Sequence, residues 1–308
     1  MHDQPPPVFY WRKADVMEDI SNIVGEKIET KNLKPLANRL RNRLLKAVDR
    51  QPWVHLLIGE NGSKYKLLKI DDKSNKRLNQ ILKLKPRFDS LDFVPKIIWS
   101  DEYLILMKFI DGVFPEFGDE RFSKEFAKNL AVLHKTNVGK TDKDKYLKGI
   151  LKKLDFLYAK KAISERIKDK CHEEIMSRQP DELRTSMTYS NMHNEKNFVF
   201  DINNKLWFID LGSFKESRVT DDALFGYKLF ENVDRRVFWK SYFENGGTEY
   251  IKENEKFLRI TQLVRKGAWH LKKSYDLSYV YLRSKRSRHK KAKWMVSELV
   301  REIDRVDN

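Results

Sequence analysis

The chain has 308 residues, 40% of them hydrophobic and 12% aromatic, which argues against a chain that is disordered throughout. It contains 62 lysines and arginines against 45 acidic residues, and the resulting net charge of +17 predicts anionic partners. Cys171 is the single cysteine, so an intrachain disulfide and a zinc site built on thiolates are excluded.

The first predicted elements are a flexible arm and a β-hairpin. Prolines at positions 5–7 disfavour regular structure, so residues 1–16 are predicted to be a loose N-terminal arm. Residues 53–70 place Asn61-Gly62 between two strand-like runs, which is the strongest short signal for a hairpin.

A helix and two further strands complete the predicted N-terminal half. The spacing of apolar side chains predicts a helix within residues 73–86 and strands at residues 94–99 and 103–110. Residues 17–110 are therefore predicted to form a small β-rich lobe.

The remainder of the chain is predicted to be mostly helical. Four apolar residues recur on one helical face after Gly118, namely Phe122, Phe126, Leu130 and Leu133. One hairpin interrupts the helices at residues 197–210, where two apolar runs flank residues 203–205. Residues 111–308 are thus predicted to form a larger, mainly helical lobe, and the fold class is α+β.

The ends of this second hairpin carry oxygen donors. Asp210 follows an apolar strand beside the flexible turn at Gly212, and antiparallel pairing would return the side chain of Asn197 toward it. An amide oxygen and a carboxylate together suit a hard ion such as Mg²⁺ that also carries phosphate oxygens. The alternative is that each residue only closes an Asx turn at a hairpin end.

The first hairpin offers a cation for phosphate. Lys69 lies in an alternating strand, where a lysine among apolar neighbours could face a cleft. Lys64 and Lys66 are further candidates in the same strand, and a solvent-facing lysine is the alternative for each.

The order of these parts resembles aminoglycoside phosphotransferases, choline kinases and related small-molecule kinases of the protein-kinase-like superfamily. The resemblance rests on the lysine hairpin, the strand ending at residues 107–112, the Leu-His helix end at His134, and the Asn and Ile-Asp-x-Gly motifs within residues 197–212. It runs from about residue 36 to residue 229. It implies a two-lobed protein-kinase-like fold and ATP- and Mg²⁺-dependent phosphoryl transfer to a hydroxyl of a small molecule or a sugar-containing glycolipid.

The resemblance also assigns residues to roles. Lys69 would grip the nucleotide phosphates, and the backbone from Lys108 to Ile110 would hold adenine. Asn197 and Asp210 would bind the magnesium ion. His134 would brace the catalytic loop as a structural residue.

Three departures from the family pattern keep a pseudokinase open as a second hypothesis, a binding or scaffold module without a competent base. Asn191 occupies the position of the catalytic aspartate, and an amide orients a hydroxyl without accepting its proton. The loop is one residue longer than in the family, so His193 or Glu195 could serve instead. Residues 72–100 contain no glutamate to pair with the lysine, and residues 36–44 offer Arg39, Arg41 and Arg43 but no glycine for a phosphate-covering loop.

A basic run at residues 283–293 predicts attraction to anionic surfaces. It is followed by a helical stripe, predicted to be packing or a membrane anchor, that contains Trp294, Met295, Leu299 and Ile303. This basic helical end gives a looser similarity to lipopolysaccharide core kinases, which implies a membrane glycolipid acceptor. Nucleic-acid binding through the same run is the third hypothesis, although no recognition motif accompanies it.

The location predicted from the sequence is cytoplasmic. The apolar stretches are shorter than the roughly 20 residues that a spanning helix needs, and the first residues lack a signal core. A soluble protein is therefore expected, with peripheral attachment to the inner face of a membrane as the alternative.

Overall fold

A computed structural model describes residues 13–25, 34–35, 54–69, 75–101, 104–190, 192, 195–218, 232–275 and 282–304. The described helices are α1 Lys13–Val24, α2 Asn75–Phe88, α3 Glu120–Lys135, α4 Lys143–Ala159, α5 Glu165–Ser177, α6 Arg235–Glu244, α7 Glu249–Glu253, α8 Glu255–Tyr275 and α9 Leu282–Asp304. The described strands are β1 Lys34–Pro35, β2 Val54–Ile58, β3 Lys64–Lys69, β4 Ile97–Ser100, β5 Leu104–Lys108, β6 Asn137–Thr141, β7 Leu183–Tyr189, β8 Phe198–Phe200, β9 Leu206–Phe208 and β10 Phe214–Arg218.

The chain divides into two compact units. Unit 1 comprises Met1–Val113 and Val199–Gly212, and unit 2 comprises Phe114–Phe198 and Ser213–Asn308. Residues 199–210 of the second hairpin therefore belong to unit 1, whereas the sequence analysis predicts that all residues after 110 lie in the second lobe.

Unit 1 is built on an antiparallel sheet with the strand order β1-β2-β3-β5-β4. The predicted hairpin at Asn61-Gly62 is confirmed, since Gly62 has a φ of 84° and the Ser63 amide donates to Asn61 Oδ1 over 2.8 Å. One face of the sheet buries Leu57, Leu67 and their neighbours against Ile20 of α1. Helix α1 begins at Lys13, so the prediction of a loose arm through residue 16 is wrong for its last four residues.

The second predicted hairpin is also confirmed, as β8 and β9. Its turn is organised by Asp201, whose carboxylate accepts hydrogen bonds from the amides of Asn203 and Lys205 and from Trp207 Nε1. The Phe208 amide donates to the Phe93 carbonyl over 2.9 Å, and the two rings meet edge to face. These contacts fix β9 to the rest of unit 1.

Unit 2 is helical around a three-stranded sheet of order β10-β7-β6. Several helices begin at side-chain caps, for example α3 at Asp119 and α6 at Asp234, whose carboxylates accept hydrogen bonds from first-turn amides. The predicted face of α3 is confirmed, because Phe122 and Phe126 are fully buried and contact Phe198 edge to face.

Of two predictions for the C-terminal part of the chain, one is wrong and one is confirmed. The prediction of one β interruption is wrong, since β6, β7 and β10 form a second sheet from segments with little apolar alternation. The stripe after residue 293 is confirmed as packing, because Met295, Leu299 and Ile303 are buried. In the part of the chain that the structure describes, no helix is long and apolar enough to cross a membrane.

Candidate functional site

Lys66 of β3 contacts the second hairpin. Its Nζ donates to the backbone carbonyl of Ile209 over 3.0 Å, and Ile209 directly precedes Asp210. Lys66 pairs with Met107 in the sheet, whereas Lys69 pairs with Leu104. The side chain of Lys69 lies outside the part of the structure that is described. The geometry therefore brings Lys66, one of the alternative candidates, toward Asp210, and the role predicted for Lys69 stays a prediction.

A backbone carbonyl takes part in holding this lysine. Helix α2, where the family carboxylate would lie, reads NKRLNQILKLKPRF and contains no acidic residue. The carbonyl of Ile209 offers Lys66 a partial negative charge without a formal one.

Backbone hydrogen bonds fix both ends of the segment predicted to bind adenine. Its first residue, Lys108, ends β5 and donates its amide to the Lys96 carbonyl over 3.1 Å. The Phe109 amide donates to Lys64, also over 3.1 Å. Four residues on, Val113 exchanges two backbone hydrogen bonds of 2.9 Å with Phe200 of the second hairpin. Ile110 thus lies in a short connection between the sheet and the hairpin.

Gly112 permits this close approach. A Cβ built on Gly112 would lie 1.9 Å from the carbonyl oxygen of Phe200, which no side chain tolerates. Sequence reasoning missed this residue as part of the site. The signal was its position four residues after β5, in the motif Ile-Asp-Gly.

Asp210 emerges at the end of the same hairpin. It follows β9, precedes the 3-10 turn Leu211–Ser213, and its side chain is half-buried. The carboxylate is thus held on a short, well-defined connection next to the carbonyl that Lys66 contacts.

The residues of the predicted catalytic loop that the structure describes, through Asn197, lie in unit 2. Asn197 is 7% exposed, and its carbonyl accepts a hydrogen bond from the buried Tyr189 hydroxyl over 3.2 Å. Ser190 donates from both its amide and its hydroxyl to the Ser213 carbonyl, which anchors the start of the loop. Glu195 is exposed at the start of the 3-10 turn that contains Asn197.

Several predicted residues lie outside the described ones: Asn191, His193, Arg39, Arg41 and Arg43. The roles predicted for them stay predictions. His134 is described and buried, and its Nδ1 lies 2.8 Å from the Tyr242 hydroxyl of α6. Burial and a hydrogen bond to a neighbouring helix agree with the structural role expected for this histidine.

The side chains predicted to bind metal and phosphate carry donor atoms that suit these groups. An Asn amide and an Asp carboxylate are hard oxygen donors of the kind that Mg²⁺ prefers, and a lysine complements phosphate. By donor chemistry, each of Asn197, Asp210 and Lys66 taken singly suits one part of a magnesium nucleotide.

Solved structures share this architecture. A macrolide 2'-phosphotransferase from Brachybacterium faecium aligns with a TM-score of 0.59 at 12% identity, covering 90% of this chain and 98% of its own. The choline kinase LicA from Streptococcus pneumoniae gives a TM-score of 0.56 at 12% identity, with 93% and 99% covered. The aminoglycoside phosphotransferase APH(2'')-IIa, in a complex with streptomycin and ATP, gives 0.54 at 14% identity, with 95% and 97% covered.

The predicted α+β protein-kinase-like fold is therefore confirmed, and so is the resemblance to aminoglycoside phosphotransferases and choline kinases. No protein-family model matches the sequence, and no curated protein matches it.

Proposed function

We propose that the chain is an ATP- and Mg²⁺-dependent phosphotransferase acting on a hydroxyl of a small molecule or a sugar-containing glycolipid. The observation that supports this proposal is the hydrogen bond from Lys66 Nζ to the carbonyl of Ile209, the residue before Asp210, within unit 1. A lysine at this place would meet the phosphates of a nucleotide whose magnesium ion Asp210 holds.

Three of the described residues would bind the phosphates and the magnesium ion of the nucleotide. Lys66 would bind its phosphates, and Asn197 and Asp210 would hold the magnesium ion, which when bound neutralises phosphate charge. The amide of Lys108 is already donated to Lys96, so adenine would take its backbone contacts from the Lys108 carbonyl and from Ile110.

The acceptor hydroxyl would be oriented by the loop that contains Asn191. Phosphoryl transfer depends mainly on positioning and charge neutralisation, since its transition state is loose. An amide that orients the hydroxyl would therefore retain part of the rate, while His193 and Glu195 are the alternative bases. We place the enzyme in the cytoplasm, where ATP is available.

A pseudokinase is the second candidate, and Asn191 in place of an aspartate favours it. It would keep the nucleotide site formed around Lys66 and Asp210 and lose turnover. The two candidates therefore differ in hydrolysis or transfer and agree in nucleotide binding.

The test is calorimetric titration of the full chain with ATP in magnesium and in EDTA, followed by release of ADP with panels of sugars, aminoglycosides and amino alcohols. A phosphotransferase requires magnesium-dependent binding and acceptor-stimulated turnover, both lost in Asp210→Ala, with turnover reduced in Asn191→Ala. Binding without turnover on every acceptor supports the pseudokinase. A chain that binds no nucleotide contradicts both.

A further inference from the structure

Helices α8 and α9 form an antiparallel pair within unit 2 whose two ends differ in charge. At one end Arg259 Nε lies 2.7 Å from the Glu302 carboxylate and Nη2 lies 3.7 Å from that of Glu298. Near the other end Arg288 lies against Trp269. At this first end, acidic side chains of α9 are therefore paired with an arginine of α8.

The opposite end is strongly cationic. Residues 265–293, which include the second half of α8 and the first half of α9, contain eleven lysines and arginines and one acidic residue, Asp276. Arg286, Lys290 and Lys293 are exposed, and their spacing of four and three residues places them on one face of α9, along about 10 Å. Lys272 is exposed on α8. Such a concentration of like charge repels itself, so folding does not explain it.

Two aromatic rings are exposed in the same region. Trp269 is 44% exposed and Tyr275 is 54% exposed, although burying such rings would stabilise the fold. The Arg288 guanidinium lies 4.4 Å from the Trp269 ring centroid, and Lys160 Nζ lies 5.7 Å from that of Tyr275. Each ring is thus paired with a cation at the surface.

We propose that this region, the basic tip, binds the surface of an anionic lipid bilayer. The basic tip consists of Trp269, Lys272, Tyr275, Arg286, Arg288, Lys290 and Lys293. Its cations would contact lipid phosphates, and its rings would enter the headgroup layer, where amphipathic aromatic side chains are favoured.

A bilayer suits these residues better than nucleic acid does. Stacking with a base uses the face of an aromatic ring, and a cation already lies over one face of both Trp269 and Tyr275. Binding to a bilayer surface requires only a broad stripe of cations with partly exposed aromatic rings, and the basic tip has both.

The test is flotation of the full chain with vesicles of phosphatidylcholine containing 30% phosphatidylglycerol or none, without nucleotide or acceptor. We expect binding to the anionic vesicles only, weakening as salt rises. The triple variant Arg286→Glu, Lys290→Glu, Lys293→Glu should bind at least tenfold more weakly. Trp269→Ala should bind severalfold more weakly even in high salt, where the charge contribution is screened.

The matched control reverses three exposed lysines on α4, Lys145→Glu, Lys148→Glu and Lys152→Glu, which changes the net charge by the same amount. We expect it to reduce binding no more than about twofold to threefold. Equal losses in both triple variants would overturn the proposal, because net charge alone would then explain binding. So would absence of vesicle binding, or tighter binding to duplex RNA that Trp269→Ala leaves unchanged. Circular dichroism verifies that each variant is folded, and because no nucleotide is present the outcome is independent of the proposed reaction.

Discussion

Lys66 Nζ donates a hydrogen bond to the backbone carbonyl of Ile209 over 3.0 Å, although the two residues are 143 positions apart in the sequence. The contact joins the lysine hairpin to the hairpin that leads into Asp210. In this chain, where α2 has no acidic residue, the main-chain oxygen of the residue before Asp210 takes part in orienting the lysine.

Lys66→Ala should therefore weaken magnesium-ATP binding at least tenfold, because a charge-assisted contact with phosphate is lost. Lys69→Ala is the matched control from the same strand and should change affinity less than threefold. Calorimetric titration of the two variants measures this difference. If Lys69→Ala shows the larger loss, the assignment of the phosphate contact to Lys66 is wrong and the family-based prediction of Lys69 is correct.

Gly112→Ala should lower the free energy of unfolding by about 2 kcal/mol or more, since its Cβ would lie 1.9 Å from the Phe200 carbonyl oxygen. Nucleotide affinity should fall with it, because the same backbone segment contains Ile110. Urea unfolding and ATP titration measure the two effects.

Gly149→Ala is the control for that substitution. Gly149 lies within α4, and the nearest atom to an added Cβ is Lys153 Nζ at 3.8 Å, the mobile end of a long side chain. Alanine is the better helix former, so we expect this variant to be as stable as the parent or more stable by up to about 1 kcal/mol. Equal destabilisation at both positions would contradict the close approach at Gly112.

Asp201→Asn should destabilise the protein at pH 7, and this destabilisation should disappear in acid. Burial alone would raise the pKa of Asp201, but hydrogen bonds from Trp207 and from the amides of Lys205 and Asn203 hold this pKa below its ordinary value. The stabilisation is therefore fully present above the unfolded-state pKa near 4 and is lost as the pH falls through the lower folded-state pKa.

We expect a difference of about 1 kcal/mol between parent and Asp201→Asn at pH 7, because the amide leaves the Trp207 donor poorly paired. The difference should shrink steadily below about pH 4 in urea titrations. Asp92→Asn removes a carboxylate that pairs with Lys205 while 80% exposed, and it should cost less than about 0.5 kcal/mol. A difference that stays constant between pH 7 and pH 3 would argue against the carboxylate as the stabilising group.

Cys171 should be unreactive in the folded protein. Burial, together with the nearby Glu174, raises the pKa of its thiol to about 12. At pH 8 the thiolate fraction is then more than a thousandfold below that of an unfolded cysteine, whose pKa is about 8.5. Labelling with an aromatic disulfide reagent should be negligible in buffer and rapid in denaturant. Rapid labelling of the native chain would show that α5 opens readily around Cys171.

Local signals in the sequence were sufficient for both hairpins and for the face of α3. Asn61-Gly62 selects a tight turn by itself, and Asp201 organises its turn through neighbours within six residues. The apolar repeat from Phe122 likewise defines a buried helical face. These features depend on contacts between residues close together in the chain, which a sequence displays directly.

Only the tertiary structure showed that Lys66 contacts the Ile209 carbonyl, because a local pattern in β3 does not reveal which distant segment packs against it. The sheet of β6, β7 and β10 was likewise not predicted from the sequence. Its strands are stabilised by distant pairings such as Lys140 with Arg184 rather than by apolar alternation. The requirement for glycine at position 112 was not predicted either, because it arises from the Phe200 carbonyl, 88 positions later in the sequence. Contacts between segments far apart in the chain depend on which surfaces meet after folding, and no single segment encodes that meeting.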